Sequence, residues 1–321
     1  MADGVKKINS IEFVDLYLGE SFSEISGLDG VQGLVPVPEE LMADVASLRA
    51  TCVHFSKANR AREFSIPVGD VLYRVTMYVG VHETVFALRQ PHADVRSPSA
   101  LGLSDPVLDV LLEKGLRGLV VVGGEMKMGK TSTAGSLFLE RVKRYGGLGF
   151  GVEDPPELNL EGRHGNGRIV QVWANATNGG YQEQLRIGLR SGAEIIFLGE
   201  IRDPDTAAEA ARAGLNGHLI FATQHCEDIE GGIERLHSLA VQRMDEAGSV
   251  IAKGLAAFVW QTLDSIQPRP GQFGKRLRSK MLVVKDNDSV KTKIREGNFA
   301  GLRLDIEHQA SASAWVSRKS K

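Results

Sequence analysis

The chain has 321 residues, of which 42 % are hydrophobic and 24 % charged, an ordinary globular composition with material for two domains. Its net charge of −2 argues against a protein that coats nucleic acid. The two cysteines, Cys52 and Cys226, form no C-x-x-C pair, so neither a zinc framework nor a disulfide scaffold is expected and a cytoplasmic location is. Neither a leader peptide nor a run near the ~20 apolar residues of a spanning helix is visible, so any membrane role is expected to be peripheral. Charge is unevenly spread. Residues 8–48 hold no Lys or Arg but carry Glu12, Asp15, Glu20, Glu24, Asp29, Glu39, Glu40 and Asp44. Residues 275–295 carry Lys275, Arg276, Arg278, Lys280, Lys285, Lys291, Lys293 and Arg295. Two solvated faces is the plain reading, and complementary surfaces between subunits the alternative.

The first ~90 residues read as short strands with a helix. Apolar alternation over 72–79 predicts a half-buried strand and 83–88 a second, with Gly80-Val81-His82 as the turn between them. Pro and Ser punctuation over 90–99 marks the linker, giving expected domains 1–95 and 104–321 with residues 96–103 between them. Beyond it, helices and strands alternate, the pattern of a largely parallel sheet. Helix is expected over 106–114, after Lys130, over 181–191 and after Pro204. Strands are expected over 119–122, 148–152, 169–173, 195–198 and 219–222.

The segment Gly124-Glu125-Met126-Lys127-Met128-Gly129-Lys130-Thr131 satisfies G-x4-G-K-[ST] between an apolar strand and a helix. In that context backbone N–H groups and a helix N-terminus cradle phosphates, Lys130 reaches the β/γ oxygens and Thr131 puts a hydroxyl on Mg²⁺, with Ser132 next in the turn. A fortuitous Gly-rich turn is the bland alternative. Lys127 stands where a small residue curls most easily, and a left-handed backbone there would be strained.

Three further constellations fall at predicted strand ends, where α/β sheets bind ligands. Glu153-Asp154-Pro155-Pro156-Glu157 follows the strand ending at Val152; its prolines are expected to present the acids rather than bury them. Such carboxylates polarise water or hold a metal's water shell, though alone they read as an acidic turn. The run 195–198 ends in Gly199-Glu200-Ile201-Arg202-Asp203, a strand-then-acid pattern that puts Glu200 near Mg²⁺. Finally, His218 and His225 bracket the strand 219–222 together with Thr223. Each histidine alone is most simply structural, and a His/His metal site lacks further ligands.

In this order the four motifs resemble the type II/type IV secretion ATPase superfamily, with its Walker A loop, acidic box, Walker B strand and histidine box. The resemblance runs from about residue 15 to 309 and is strongest over 123–225; chain length looks most like the compact pilus-retraction branch. It implies a smaller N-terminal PAS-like α+β domain, a C-terminal RecA-like P-loop ATPase domain and a homo-hexamer on an inner-membrane platform protein. ATP and Mg²⁺ are the implied cofactors, and direct nucleic-acid binding is not expected. Glu157 becomes the catalytic glutamate with Glu153 and Asp154 in support, Glu200 the Walker B acid, and His218 and His225 a γ-phosphate sensor. Arg74 and Arg89 match the strands that donate arginines to the nucleotide in the family, with Arg190 and Arg202 as weaker nominees. Gln224, Cys226 and Lys127 depart from the family's usual residues. Two other readings are a nucleotide-binding scaffold with little turnover and a DNA-handling or conjugative transfer motor.

Overall fold

Alternating apolar residues build the N-terminal sheet, and continuous apolar runs build the larger one that follows. The structure, a computed structural model, describes residues 8–28, 31, 33–69, 71–89, 95–269 and 272–319. The first part of the expected linker, 90–94, and Asp29 of the acidic run lie outside the described residues. The described residues up to 89, together with 154–159, form one compact unit; 95–153 and the described residues from 160 form the second.

The first unit holds β1 (Asp15–Leu18), β2 (Ser23–Ser26), β3 (Leu34–Pro36), α1 (Met42–Asn59), β4 (Glu63–Val68), β5 (Val71–Val79) and β6 (Thr84–Arg89). Its sheet runs β3-β2-β1-β6-β5-β4, antiparallel at every pairing. Inward positions two apart bury Leu16 and Leu18, Tyr73 and Val75, and Phe86 and Leu88, the period a one-sided sheet demands. Helix α1 buries Val45, Leu48, Cys52 and Ser56, a stripe at helical spacing. It ends at Arg60, whose left-handed φ of 51° turns the chain into β4.

The second unit continues with α2 (Asp105–Leu111), β7 (Gly118–Gly124), α3 (Lys130–Tyr145), β8 (Gly147–Glu153), β9 (Gly162–His164) and β10 (Gly167–Trp173). Then come α4 (Gly180–Arg190), β11 (Ile195–Leu198), α5 (Pro204–Leu215), β12 (Leu219–His225), α6 (Ile229–Ala240) and α7 (Ala247–Gly254). Strands β13 (Leu255–Arg269) and β14 (Gln272–Val283) and helices α8 (Asp288–Arg295) and α9 (Leu302–Lys319) complete it. The sheet order is β14-β13-β7-β12-β11-β8-β10-β9, parallel except at the two edge strands. Every residue of β7 and β11 is buried, as a strand with both faces covered requires.

Helices pack close where their residues are small. Helix α5 buries Ala207, Ala208, Ala210, Ala211, Ala213 and Gly214. A Cβ on Gly214 would stand 2.6 Å from the Gly254 carbonyl oxygen and 2.8 Å from the Leu119 nitrogen, so only glycine admits this approach. The helix starts cleanly: Asp203 accepts from the Thr206 N–H at 2.9 Å and Pro204 occupies the first turn. Strand β12 runs three residues past its expected end, because Thr223, Gln224 and His225 pair with Val122, Gly123 and Gly124.

Candidate functional site

The carboxyl ends of β7, β12 and β11 lie side by side, and each delivers one polar side chain. Strand β7 stops at Gly124, the chain loops through 125–129, and α3 opens at Lys130 with Gly129 as its cap at φ 75°. Lys127 adopts φ 62°, the left-handed conformation raised by its position in the motif. Lys130 is 7 % exposed. Its Nζ donates to the Glu125 carbonyl at 2.7 Å and lies 3.1 Å from His225 Nδ1.

His225 ends β12 opposite Gly124, which sets its ring beside the loop. Its other nitrogen, Nε2, faces Glu200 Oε1 at 3.5 Å. Burial, and then the Lys130 charge, pull the histidine pKa below its ordinary value, with Glu200 pulling the other way. A neutral ring accepting from Lys130 at Nδ1 and carrying its proton toward Glu200 satisfies all three groups. Glu200 is held there by its neighbours: Gly199 N–H donates to the Val152 carbonyl at 2.8 Å and Ile201 N–H to the Thr223 carbonyl at 2.8 Å. The Thr223 hydroxyl also donates to the Gly199 carbonyl.

The other predicted residues are dispersed. His218 precedes β12 at its amino end, seven residues from His225, a separation of roughly 20 Å at the rise of a strand. It is therefore not brought to the Lys130–His225–Glu200 cluster within this chain. The acidic box is divided as well. Glu153 closes β8 and is 2 % exposed, its Oε1 accepting from Gln171 Nε2 at 2.9 Å, so the prolines that follow do not present it to solvent. Asp154 is half-buried and Glu157 exposed, and both belong to the first unit. There Arg74 Nη1 donates to Glu157 Oε1 at 2.8 Å. Arg89 forks onto both carboxylate oxygens of Asp15 at 2.8 and 3.0 Å, a bidentate pair that raises the arginine's pKa further. Arg190 ends α4 exposed, and Arg202 lies over the Tyr181 ring at 5.7 Å.

Sequence reading missed Gln171, which holds Glu153, and Gln261, which is fully buried and donates to the Met128 carbonyl at 2.6 Å. A lone amide closing the apolar run Phe258-Val259-Trp260 was the available signal. Among the described residues no group of three or more His, Cys, Asp or Glu side chains is placed to hold a metal ion by itself. Among them, too, no helix is long and apolar enough to cross a membrane.

Residues 78–269, more than half of the chain, match the family model described as Type II/IV secretion system protein. The chain belongs to that family. The competence protein ComGA of Bacillus subtilis (strain 168) is 30 % identical over 198 residues, covering 60 % of this chain and 54 % of its own length. The type IV pilus assembly ATPase TfpB of Acinetobacter baylyi (strain ATCC 33305 / BD413 / ADP1) is 33 % identical over 169 residues, 52 % of this chain and 28 % of TfpB. The chain thus spans about half the length of the first of these curated relatives and less of the second. Among solved structures, the pilus retraction motor PilT with bound ADP matches at a TM-score of 0.74 and 24 % identity, covering 92 % of this chain and 85 % of that one. That likeness gives the fold: a mixed α/β chain with an N-terminal domain and a RecA-like domain.

Proposed function

We propose that the chain is a motor subunit that binds MgATP at residues 124–132 and hydrolyses it to extend or retract a type IV pilus or to drive a related secretion step. It works as a hexamer, cytoplasmic and peripheral at an inner membrane, on a platform protein there. The observation that carries the reading is the convergence of Lys130, His225 and Glu200, at 3.1 and 3.5 Å, on the ends of three adjacent strands. Open α/β sheets bind phosphorylated ligands at that edge.

Lys130 offers its charge to the β/γ-phosphates once they replace the Glu125 carbonyl and His225 as its acceptors. Loop N–H groups and the start of α3 complete the cradle. The Thr131 hydroxyl and the Glu200 carboxylate are hard oxygen donors of the kind that suits Mg²⁺ held partly through water. They fit because Thr131 follows Lys130 directly and Glu200 lies within one imidazole of it. The ion, when bound, neutralises developing charge on the phosphate oxygens. Glu157 acts on the attacking water, supported by Glu153 and Asp154. Arg74 and Arg89 become available to a nucleotide only by leaving Glu157 and Asp15.

Phosphate release from MgATP by purified protein tests the proposal. Lys130→Ala is expected to abolish it, and wild-type turnover in that variant would remove the loop's assignment. Glu200→Gln should keep nucleotide binding and lose turnover by about 10²-fold or more. A scaffold with little turnover is the second reading, favoured by the left-handed Lys127 in the loop; saturable nucleotide binding without phosphate release would establish it.

A further inference from the structure

Strand β13 outruns β7. The two pair in parallel as far as Trp260 opposite Gly123, where β7 gives way to the loop. From Gln261 onward, the β13 groups on that side face Gly124, the last residue of β7, and the loop that follows it. A Cβ on Gly124 would stand 2.5 Å from the Gln261 carbonyl oxygen, and one on Gly129 would stand 3.5 Å from Gln261 Nε2. Two residues along the same edge, the Leu263 N–H finds Met128 Sδ at 3.3 Å, and the Thr262 hydroxyl lies 3.6 Å from that sulfur. Met128 is therefore held at two points, through its carbonyl by Gln261 and through its thioether by the Leu263 N–H.

Gln261, like Gln224, is fully buried, and among the described residues the Oε1 of each has no hydrogen-bond partner. The Gln261 amide cannot be turned round, since Met128 O only accepts and must face the NH₂ group. A buried amide with an orphaned acceptor is unfavourable relative to an apolar side chain of the same size, unless its donor does something the fold needs. Among the described residues, the hydrogen bond of the Gln261 side chain goes to the carbonyl of the residue before the Gly129 cap of α3.

We propose that Gln261 is a positioning residue of the nucleotide site: from β13 it holds the Met128 carbonyl and so fixes the curvature of loop 125–129 and the direction of Lys130. Met128 Sδ on the Leu263 N–H is the second anchor. The inference rests on the proposed nucleotide binding at this loop. Gln261 touches no substrate, so its removal loosens the grip on phosphate rather than removing a reacting group.

The experiment measures the Kd of a fluorescent ADP analogue with Mg²⁺, and KM and kcat for ATP. The proteins are wild type, Gln261→Leu, Met128→Leu, Lys130→Ala and the Gln261→Leu/Lys130→Ala pair, each checked by thermal melting and circular dichroism. Gln261→Leu is expected to fold, to raise Kd and KM about tenfold, the equivalent of one hydrogen bond, and to change kcat by less than KM. Met128→Leu should raise Kd about two- to threefold. In the Lys130→Ala background Gln261→Leu should add nothing, because the lysine it aims is gone. If Gln261→Leu does not fold, Met128→Leu carries the test, and an unchanged Kd there overturns the proposal. Wild-type Kd and KM in a folded Gln261→Leu overturn it while leaving the proposed function intact. A wild-type protein that binds no nucleotide overturns the function as well.

Discussion

Lys127 sits in the loop at φ 62°, a conformation that disfavours an L side chain by about 1–2 kcal/mol. Lys127→Gly is expected to relax that strain and tighten ATP binding by up to about tenfold, read by titration. Unchanged or weaker binding would mean that the Lys127 ammonium itself meets phosphate. A second residue-scale expectation concerns Glu157, whose carboxylate is held by Arg74 at 2.8 Å. Glu157→Gln should keep nucleotide affinity and lose turnover by about 10²-fold or more; full kcat in that variant would pass the role to Glu153 or Asp154. At this scale the sequence placed Lys130, Glu200 and His225 at a helix start and two strand ends, where the structure has them, and said little of their company. Their contact order, Lys130 to His225 to Glu200, was not legible, because it depends on β12 and β7 pairing His225 with Gly124. Glu153 was expected to be presented and is buried, because its partner Gln171 comes from β10, a contact no local pattern announces.

Elements were read more reliably where burial is complete. The runs that became β7 and β11 are apolar throughout, and Pro204 after Asp203 marks the start of α5 by chemistry alone. Strand β12 was read short because Thr223 and Gln224 are polar, although sheet register buries both. The hairpin β13–β14 went unnamed in the sequence reading, since fifteen- and twelve-residue strands that continue past their neighbours lose the simple pattern of a covered strand. Packing between elements has its own test. Gly214→Ala puts a methyl group 2.6 Å from the Gly254 carbonyl oxygen, where α5 meets the end of α7. Calorimetry should find the variant destabilised by about 1–3 kcal/mol with a lowered Tm. An unchanged Tm would mean that α5 shifts freely on the sheet.

Across the whole molecule the basic run is less free than its composition implies. Arg278 pairs with Asp264 at 2.5 Å, Lys285 with Glu113 at 3.4 Å and Lys293 with Asp305 at 2.5 Å. Among the described residues Lys275, Arg276, Lys280, Lys291 and Arg295 have no such pair. These five, and not Lys293, are the cations available to meet the acidic run of a neighbouring subunit in the proposed ring. Rim pairs are worth at most about 1 kcal/mol each, but repetition around a ring multiplies them. Sedimentation velocity across a salt series should find the hexamer fraction falling as salt rises. Lys280→Glu/Lys291→Glu should lower it further at each salt while leaving the melting curve of the subunit unchanged. Equal hexamer fractions for both proteins at every salt would return the run to an ordinary solvated face.

The segment 154–159 has a bearing on how this chain can be taken apart. It leaves the sequence in the middle of the ATPase-like region yet counts among the residues of the first unit, where Pro156 O accepts from the Ser65 hydroxyl at 2.7 Å and Glu157 takes Arg74. That unit is a discontinuous domain, and a cut at residue 94 does not excise it. A fragment ending there would leave Ser65 and Arg74 without these partners, and the complementary fragment would carry six residues whose contacts belong to a body it no longer has. The last acid of the acidic box therefore travels with the N-terminal unit while the first stays with the sheet, and a severed chain could not keep both ends of the motif in register.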